Sequence, residues 1–585
     1  MTSSNYDKYP YLEIESKNQP VITGWKEIIR TIKGRVEQTE GKPKVIVFET
    51  YPGADDAIAA SELLKYFSPA LFIRMSDLYY NEDEINRKCY PDVTDDRTFG
   101  FMTRLTINDF IDGEKLRDAR QAIKGTNEGL ILIFGCGASE ITESYDLFIY
   151  SDLTRYEIQQ RMRSNRMANL GTADYSLEFE RKYKRAFFVD WRVADRVKRK
   201  CFENCNYVID ANIPDSPVMI PAGLFNTSLK AAVNRPFRLV PFFDPGPWGG
   251  QWMKKVIAPD KEEDNFAWCF DCVPEENSIR FKFNEIIFET PAINLVFFQP
   301  QALLGERVYA RFGAEFPIRF DFLDTMEGGN LSLQVHPTTE YIREKFGMFY
   351  TQDESYYLLD AGDDARVYLG LKDGVDKEAM LNELKSAQEG GQSFSADKYT
   401  ASWPAKKHDH FLIPAGTVHC SAVNCMVLEI SATPYIFTFK LWDWGRMGLD
   451  GQPRAINIEH GEKVINWNRT ESWVRDELIN RVTMVSDKDG VREERTGMHE
   501  YEFIETIRHW FTGKVSHISH GSVNVLNLVE GREAIIESPS SAFEPFIVHY
   551  AETFIIPANV GEYTIRPFGE SEGKRCATIK AYIRK

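Results

Sequence analysis

The sequence predicts a multidomain protein: an α/β domain on a parallel sheet over residues 1–235, then all-β domains over 236–465 and 466–585. Three observations predict it. The chain has 585 residues, and at about 150 residues per domain that length implies three or four domains. Before Pro236, apolar strand-type runs alternate with helically spaced segments, the pattern of βαβ units. After Pro236, short β-type runs punctuated by Gly, Pro, Asn and Asp dominate, as in sandwiches and barrels.

In chain order, Val45–Phe48 (VIVF) reads as a buried strand, and Asp55–Phe67 follows with apolar residues at helical spacing. Leu130–Phe134 (LILIF) is a second strand, closed by Gly135 and Gly137. Leu147–Tyr150 (LFIY), an Arg-rich helix over Tyr156–Met167 and Tyr207–Asp210 (YVID) complete the alternation. Past Pro236 come FRLVPFF, SIRFKF, EIIFET, NLVFF, LSLQVH, ESYYLL, ARVYLGL, HFLIPAG and MVLEISA, with Lys377–Gln388 the main helical interruption. A further β-rich stretch over about 480–585 contains TFIIPANV, a loose echo of HFLIPAG that suits two related β-domains.

Composition narrows the function classes. A chain with 43% hydrophobic and 27% charged residues buries large cores and is neither disordered nor fibrous. Its net charge of −17 disfavours a phosphate-backbone clamp, so no nucleic-acid partner is expected. Nine cysteines are too sparse for a disulfide scaffold. The polar N-terminus lacks a signal-type apolar core. No apolar run approaches the ~20 residues of a membrane helix. A soluble, cytoplasmic protein without membrane partner is expected.

The informative stretch is Leu331–Pro337 (LSLQVHP). Strand alternation puts Gln334 and His336 on one face, about 6.5 Å apart. Glu354 heads the next apolar strand, ESYYLLD, and His419 closes FLIPAGTVHC. Two imidazoles, a carboxylate and an amide oxygen make a first shell for a divalent metal with an open position.

In the order LSLQVHP, DESYYLLDA, FLIPAGTVHC, MVLEIS and LWDWGR, the chain resembles the cupin-type (type I) mannose-6-phosphate isomerases. LVPFFDPGPWGG (239–250) resembles that family's opening motif and GQPR (451–454) its segment after the catalytic strands. The likeness covers about 238–465 and extends loosely through 466–585, which is similar to a degenerate second cupin. It implies double-stranded β-helix domains, one zinc or similar divalent ion per chain and a sugar-phosphate substrate. It implies Gln334, His336, Glu354 and His419 as the metal ligands and Glu429 as an active-site carboxylate. The family's catalytic arginine falls at Lys440, while Arg446 of LWDWGR is intact. Two lysines of the family fall at Asp321 and Gln352, and only Trp268 remains of its Gly-Glu-x-Trp segment. The metal shell is therefore whole and the cationic shell altered, and Arg→Lys is not conservative at a bidentate site.

The implied reaction interconverts mannose 6-phosphate and fructose 6-phosphate through an enediol. Glu429 is a candidate proton carrier, and Lys440 and Arg446 are cations for phosphate or enediolate. The altered shell keeps a second expectation open, a non-catalytic metallo-cupin that senses sugar phosphate. Val45–Ala57 resembles a small-molecule kinase's P-loop in layout and residues 146–171 its lid, with Arg161, Arg163 and Arg166 close together. Asp55 stands where the phosphate-gripping lysine belongs, so a degenerate, non-catalytic domain is expected; the arginines could equally be a solvated helix face. Cys269 and Cys272 read as structural thiols, His408 and His410 as lying outside the metal shell, and His517 with His520 as lacking a partner for a second metal.

Overall fold

In a computed structural model of the protein, the described residues are 4–17, 19–38, 41, 43–54, 56–390, 392–432, 437–447, 454, 456–497 and 499–584. They fall into two compact units. One comprises Tyr11–Ala231 with Ser278–Phe298; the other comprises Met1–Pro10, Ala232–Asn277 and Gln299–Lys585. Among the described residues no helix is long and apolar enough to cross a membrane.

The first unit is α/β. The strands of its main sheet are β1 (Ile22–Thr23), β2 (Lys44–Thr50), β3 (Leu71–Arg74), β4 (Leu130–Gly135), β5 (Leu147–Asp152), β6 (Tyr207–Asp210) and β7 (Val218–Pro221). They form one sheet in the order β1-β7-β6-β5-β2-β4-β3. Strands β2 to β6 run parallel, and β7 is antiparallel to both of its neighbours. The runs VIVF, LILIF and LFIY are its buried central strands, as expected of a sheet covered on both faces. The excursion Ser278–Phe298, which follows Pro236 in the chain, belongs to this unit through a buried polar knot. Lys198 Nζ lies 2.8 Å from Asp152 Oδ2 and 3.1 Å from Asn294 Oδ1, and Asn294 Nδ2 donates to Asp152 Oδ2. A buried charge needs such complete pairing.

The second unit holds two double-sheet β-domains. In the first, β8 (Phe242–Asp244), β9 (Trp268–Cys272), β10 (Arg319–Asp324), β11 (Leu333–Val335), β12 (Glu354–Ala361), β13 (Arg366–Leu371), β14 (Thr400–Pro404), β15 (His410–Ile413), β16 (His419–Ser421), β17 (Cys425–Ser431) and β18 (Phe439–Trp442) build two sheets. One is ordered β15-β12-β17-β10-β9-β8 and the other β14-β13-β16-β11-β18. The C-terminal domain pairs a six-stranded with a four-stranded sheet around Phe511, Leu526, Leu528, Ile536, Phe554 and Ile565, all fully buried.

Arg238 joins the two β-domains. Its guanidinium lies 2.6 Å from Glu552 and 3.6 Å from Asp271, and donates to the Asp7 carbonyl; Tyr6 Oη donates to the same Asp271. Breaking a buried pair strands its partner's charge, a loss of about 3–5 kcal/mol. Arg238→Ala should therefore lower the denaturation free energy of this unit by that order in a chemical melt.

Buried histidines set its acid limit. His410, inside β15 against Ser355 Oγ, is driven by burial, and then by the Arg508 charge, down to about 3. His509 of the C-terminal domain is likewise lowered by burial, and by Lys580, to about 3. Both folded-state pKa values are depressed, so the unfolded chain takes up protons first, from about pH 6.5 downwards. Each site should cost about 2 kcal/mol between pH 7 and pH 5. His509→Gln should flatten the acid limb of a stability–pH curve by one such increment.

Candidate metal centre

The ladder brings the ligand candidates together. Gln334 on β11 stands directly opposite His419 on β16, and opposite Lys440 on β18. His336 follows β11 by one residue, and Glu354 opens β12 in the facing sheet. Alternation and cross-strand pairing aim all four inward. Glu354 Oε2 is 3.1 Å from His336 Nε2, and its Oε1 is 2.8 Å from His419 Nε2. The Gln334 side-chain nitrogen lies 3.2 Å from His419 Nε2, while its Oε1 accepts from Ser332 Oγ. To offer its oxygen to an ion, the amide must turn over.

Each imidazole is fixed by its other nitrogen. His336 Nδ1 is 2.7 Å from the Phe437 carbonyl and His419 Nδ1 2.9 Å from the Thr417 carbonyl. A carbonyl only accepts, so both Nδ1 atoms carry hydrogen and both Nε2 lone pairs face the Glu354 carboxylate. His336 Nε2 and Glu354 Oε1 are buried without a hydrogen-bond partner among the described residues. Three electron-rich donors thus converge on one another, and the chelating atoms of His336, Glu354 and His419 lie within 4.8 Å. A positive ion is what such a set requires. Burial opposes charge on His336, but the Glu354 carboxylate overrides it and raises that imidazole. Burial would raise Glu354, but the two histidines draw it well below the carboxylate range. A tetrahedral divalent ion with bonds of ~2.0–2.1 Å spaces its donors by ~3.4 Å, so small outward shifts would admit one. The donor set therefore fits zinc or a similar divalent ion.

An outer shell holds this geometry, as second shells do in metal sites. Asp353 Oδ1 accepts from Ala415 N, and Arg469 Nη1 donates to the Pro414 and Ala415 carbonyls and to Thr417 Oγ1. The turn at Gly416, φ +88°, carries its amide to the His336 carbonyl. The loop bearing His419 is thereby strapped to the strands bearing His336 and Glu354.

Beside this set, Asp321, Glu429 and Tyr356 form one cross-strand row, and Arg319, Ser431 and Glu354 the next. Glu429 is thus on the interior face with the ligands. Gln352 Nε2 bridges Glu354 Oε2 at 2.9 Å and Glu429 Oε1 at 3.4 Å. Burial, then the charges of Asp321 and Glu354, push Glu429 well above the carboxylate range; burial raises Asp321 to about 6. Lys440 is half-buried on the face of Gln334. Arg446 pairs with Asp443: its Nη2 lies 2.5 Å from Asp443 Oδ1, and Arg454 takes the other oxygen at 2.7 Å. The sequence reading passed over Arg319, a 4% exposed guanidinium 3.3 Å from Asp321. The alternation of Arg319 and Asp321 in IRFDFLD was its available signal.

The remaining candidates lie elsewhere. His408 bonds Tyr357 Oη and Glu530, and His410 bonds Ser355. His517 stacks on Tyr563, whereas His520 is exposed. Cys269 and Cys272 are buried free thiols. In the α/β unit Asp55 lies outside the described residues. Arg161 is buried and spent on the Gly53, Ala211 and Asn212 carbonyls and on Glu157, whereas Arg163 and Arg166 are exposed.

Residues 24–234 match a family described as a domain of unknown function, DUF8485. A mannose-6-phosphate isomerase from Streptococcus mutans is 25% identical over 248 residues, 41% of this chain and 72% of that protein. The mannose-6-phosphate isomerase ManA of Bacillus subtilis is 29% identical over 153 residues, 26% of this chain and 45% of that one. Among solved structures, the mannose 6-phosphate isomerase from Bacillus subtilis superposes with a TM-score of 0.49 at 17% identity, over 60% of this chain and 99% of that one. A phosphomannose isomerase variant from Salmonella typhimurium gives 0.44 at 14%, over 60% and 99%.

Purified protein should carry about one equivalent of a divalent ion, lost in His336→Ala and in His419→Ala. Elemental analysis of the three proteins checks this, and unchanged content in both variants would remove the site.

Proposed function

We propose that the protein is a metal-dependent aldose–ketose isomerase that interconverts mannose 6-phosphate and fructose 6-phosphate. The observation that carries the reading is the convergence of His336, Glu354 and His419 beside a buried Glu429 whose carboxyl is pushed upwards by burial and by its acidic neighbours. Sequence similarity to curated mannose-6-phosphate isomerases supports the substrate.

When bound, the ion supplies Lewis-acid polarisation of the sugar oxygens at C1 and C2. Gln334, His336, Glu354 and His419 would hold it. The proton that moves between C1 and C2 is the work of Glu429. Asp321 stands directly opposite it, and two adjacent carboxylates in a dry interior cannot both ionise readily. The pair therefore favours sharing one proton, so that one carboxylate oxygen can accept from one carbon and then return that same proton to the other. Gln352 restrains Glu429 from the ligand side, and Arg319 limits the negative charge from the other. Lys440, in the ladder opposite Gln334, is the cation for the developing enediolate.

A second reading has its own support. With Arg446 held by Asp443, and Asp321 and Gln352 where the resembled family has lysines, the protein would bind sugar phosphate without turning it over. A coupled assay on zinc-loaded protein separates the two. The isomerase reading expects turnover that falls by ~10²–10⁴ in Glu429→Gln, the usual worth of a general acid–base. It expects a further fall of up to ~10²–10³ in Lys440→Ala, as for one preorganised donor. Zinc content should be unchanged in both. Binding of mannose 6-phosphate by wild-type protein with no turnover leaves the sensor.

A further inference from the structure

A second cluster of cations, none of them among the metal-ligand set, lies in the same unit. The helix Glu306–Phe312 and segments 500–503, 521–522 and 583–584 of the C-terminal β-domain line an open cavity of about 340 Å³, with Arg307 and Arg311 exposed at its mouth. That volume lies within the ~300–1,000 Å³ of small-molecule sites. Three arginines line it: Arg307 and Arg311 from the helix, and Arg584 from beyond the last strand. Positions 307 and 311 are one helical turn apart, so their guanidinium groups emerge side by side, where like charges repel. Among the described residues neither has a carboxylate within ion-pair distance, in a chain of net charge −17. Arg311 is held by the Phe503 ring, 4.9 Å from its guanidinium carbon. Arg584 shares Glu505, at 3.4 Å, with Arg495, at 2.7 Å, so one carboxylate serves two cations.

The wall also carries Glu502, 3% exposed, with neither oxygen hydrogen-bonded to a described residue. Burial, then the Asp353 charge, drives its carboxyl well above the ordinary range. It makes no ion pair with Arg307 or Arg311 among the described residues. Glu500 and the 69% exposed Tyr501 complete the rim. Guanidinium groups in pairs suit the oxygens of a phosphate monoester. An exposed phenol ring and a carboxylate suit the carbon face and the hydroxyls of a sugar.

We infer that this cavity, which shares no lining residue with the metal-ligand set, is a second binding site for the phosphate monoester of a small hydroxylated compound such as a sugar phosphate. None of its arginines takes part in the proposed isomerisation, so the inference stands or falls apart from that reading.

Binding of inorganic phosphate and of mannose 6-phosphate to zinc-loaded full-length protein, followed by isothermal titration, tests it. For phosphate, Arg307→Ala/Arg311→Ala should raise Kd at least tenfold. Arg307→Lys/Arg311→Lys should recover part of the affinity, and His336→Ala should leave it unchanged. Mannose 6-phosphate should show two binding events in wild-type protein and one in the double alanine variant. Thermal melting identifies any loss of fold; the lysine pair and the single variant Arg307→Gln then carry the comparison. Phosphate affinity indifferent to every arginine change, or lost in His336→Ala alone, overturns the inference. Arginine-dependent phosphate binding in a protein without isomerase turnover would uphold the second site while the proposed function fails.

Discussion

The β-rich unit is organised around one buried carboxylate. Glu354 has no exposure, and its two oxygens address imidazoles that arrive from the opposite sheet. Such a charge is tolerated in a dry interior only when it is fully compensated. That requirement explains why the surroundings are so constrained. The His336 and His419 tautomers are set by backbone carbonyls, the 414–417 turn is strapped by Arg469 and Asp353, and Gln352 occupies the remaining approach. Packing alone would not demand this set of residues; electrostatics does.

Much of this was legible beforehand, for a physical reason. A strand repeats every two residues, so LSLQVHP announces which side chains share a face, and the ladder then places Gln334 opposite His419. What alternation cannot announce is who neutralises whom. Arg446 in LWDWGR reads as a cation for phosphate or enediolate, yet Asp443, three residues earlier in the same motif, pairs with it. Arg319 carries no motif that marks it out, yet it is a buried cation paired with Asp321. The kinship of Ser278–Phe298 with the α/β unit was hidden for a similar reason. It depends on Asn294 meeting Asp152 and Lys198, residues far apart in sequence.

The α/β unit shows a related economy. Its chain reverses direction across the sheet at β2, and such switch points place a crevice at the carboxyl ends of the strands. Here a cavity of about 520 Å³ opens there, with Gly53, Arg74, Gly135, Arg161 and Met167 among its walls. Gly53, at φ +94°, turns under Met167, whose sulfur would lie 2.7 Å from any added Cβ, and its carbonyl is taken by Arg161. The Gly53 turn is thus held by two side chains that also line this cavity.

The cross-sheet position of Glu354 has a consequence for the lifetime of the molecule. Its partners come from β11 and β16 in one sheet, while it belongs to the other, so an ion held between them would act as a rivet through the sandwich. The unfolded chain, with these residues scattered over more than eighty positions, has no comparable site, and ligation energy then becomes folding energy. Metal supply would govern how long each copy survives proteases, and shortage would be read out as protein abundance before it was read out as rate.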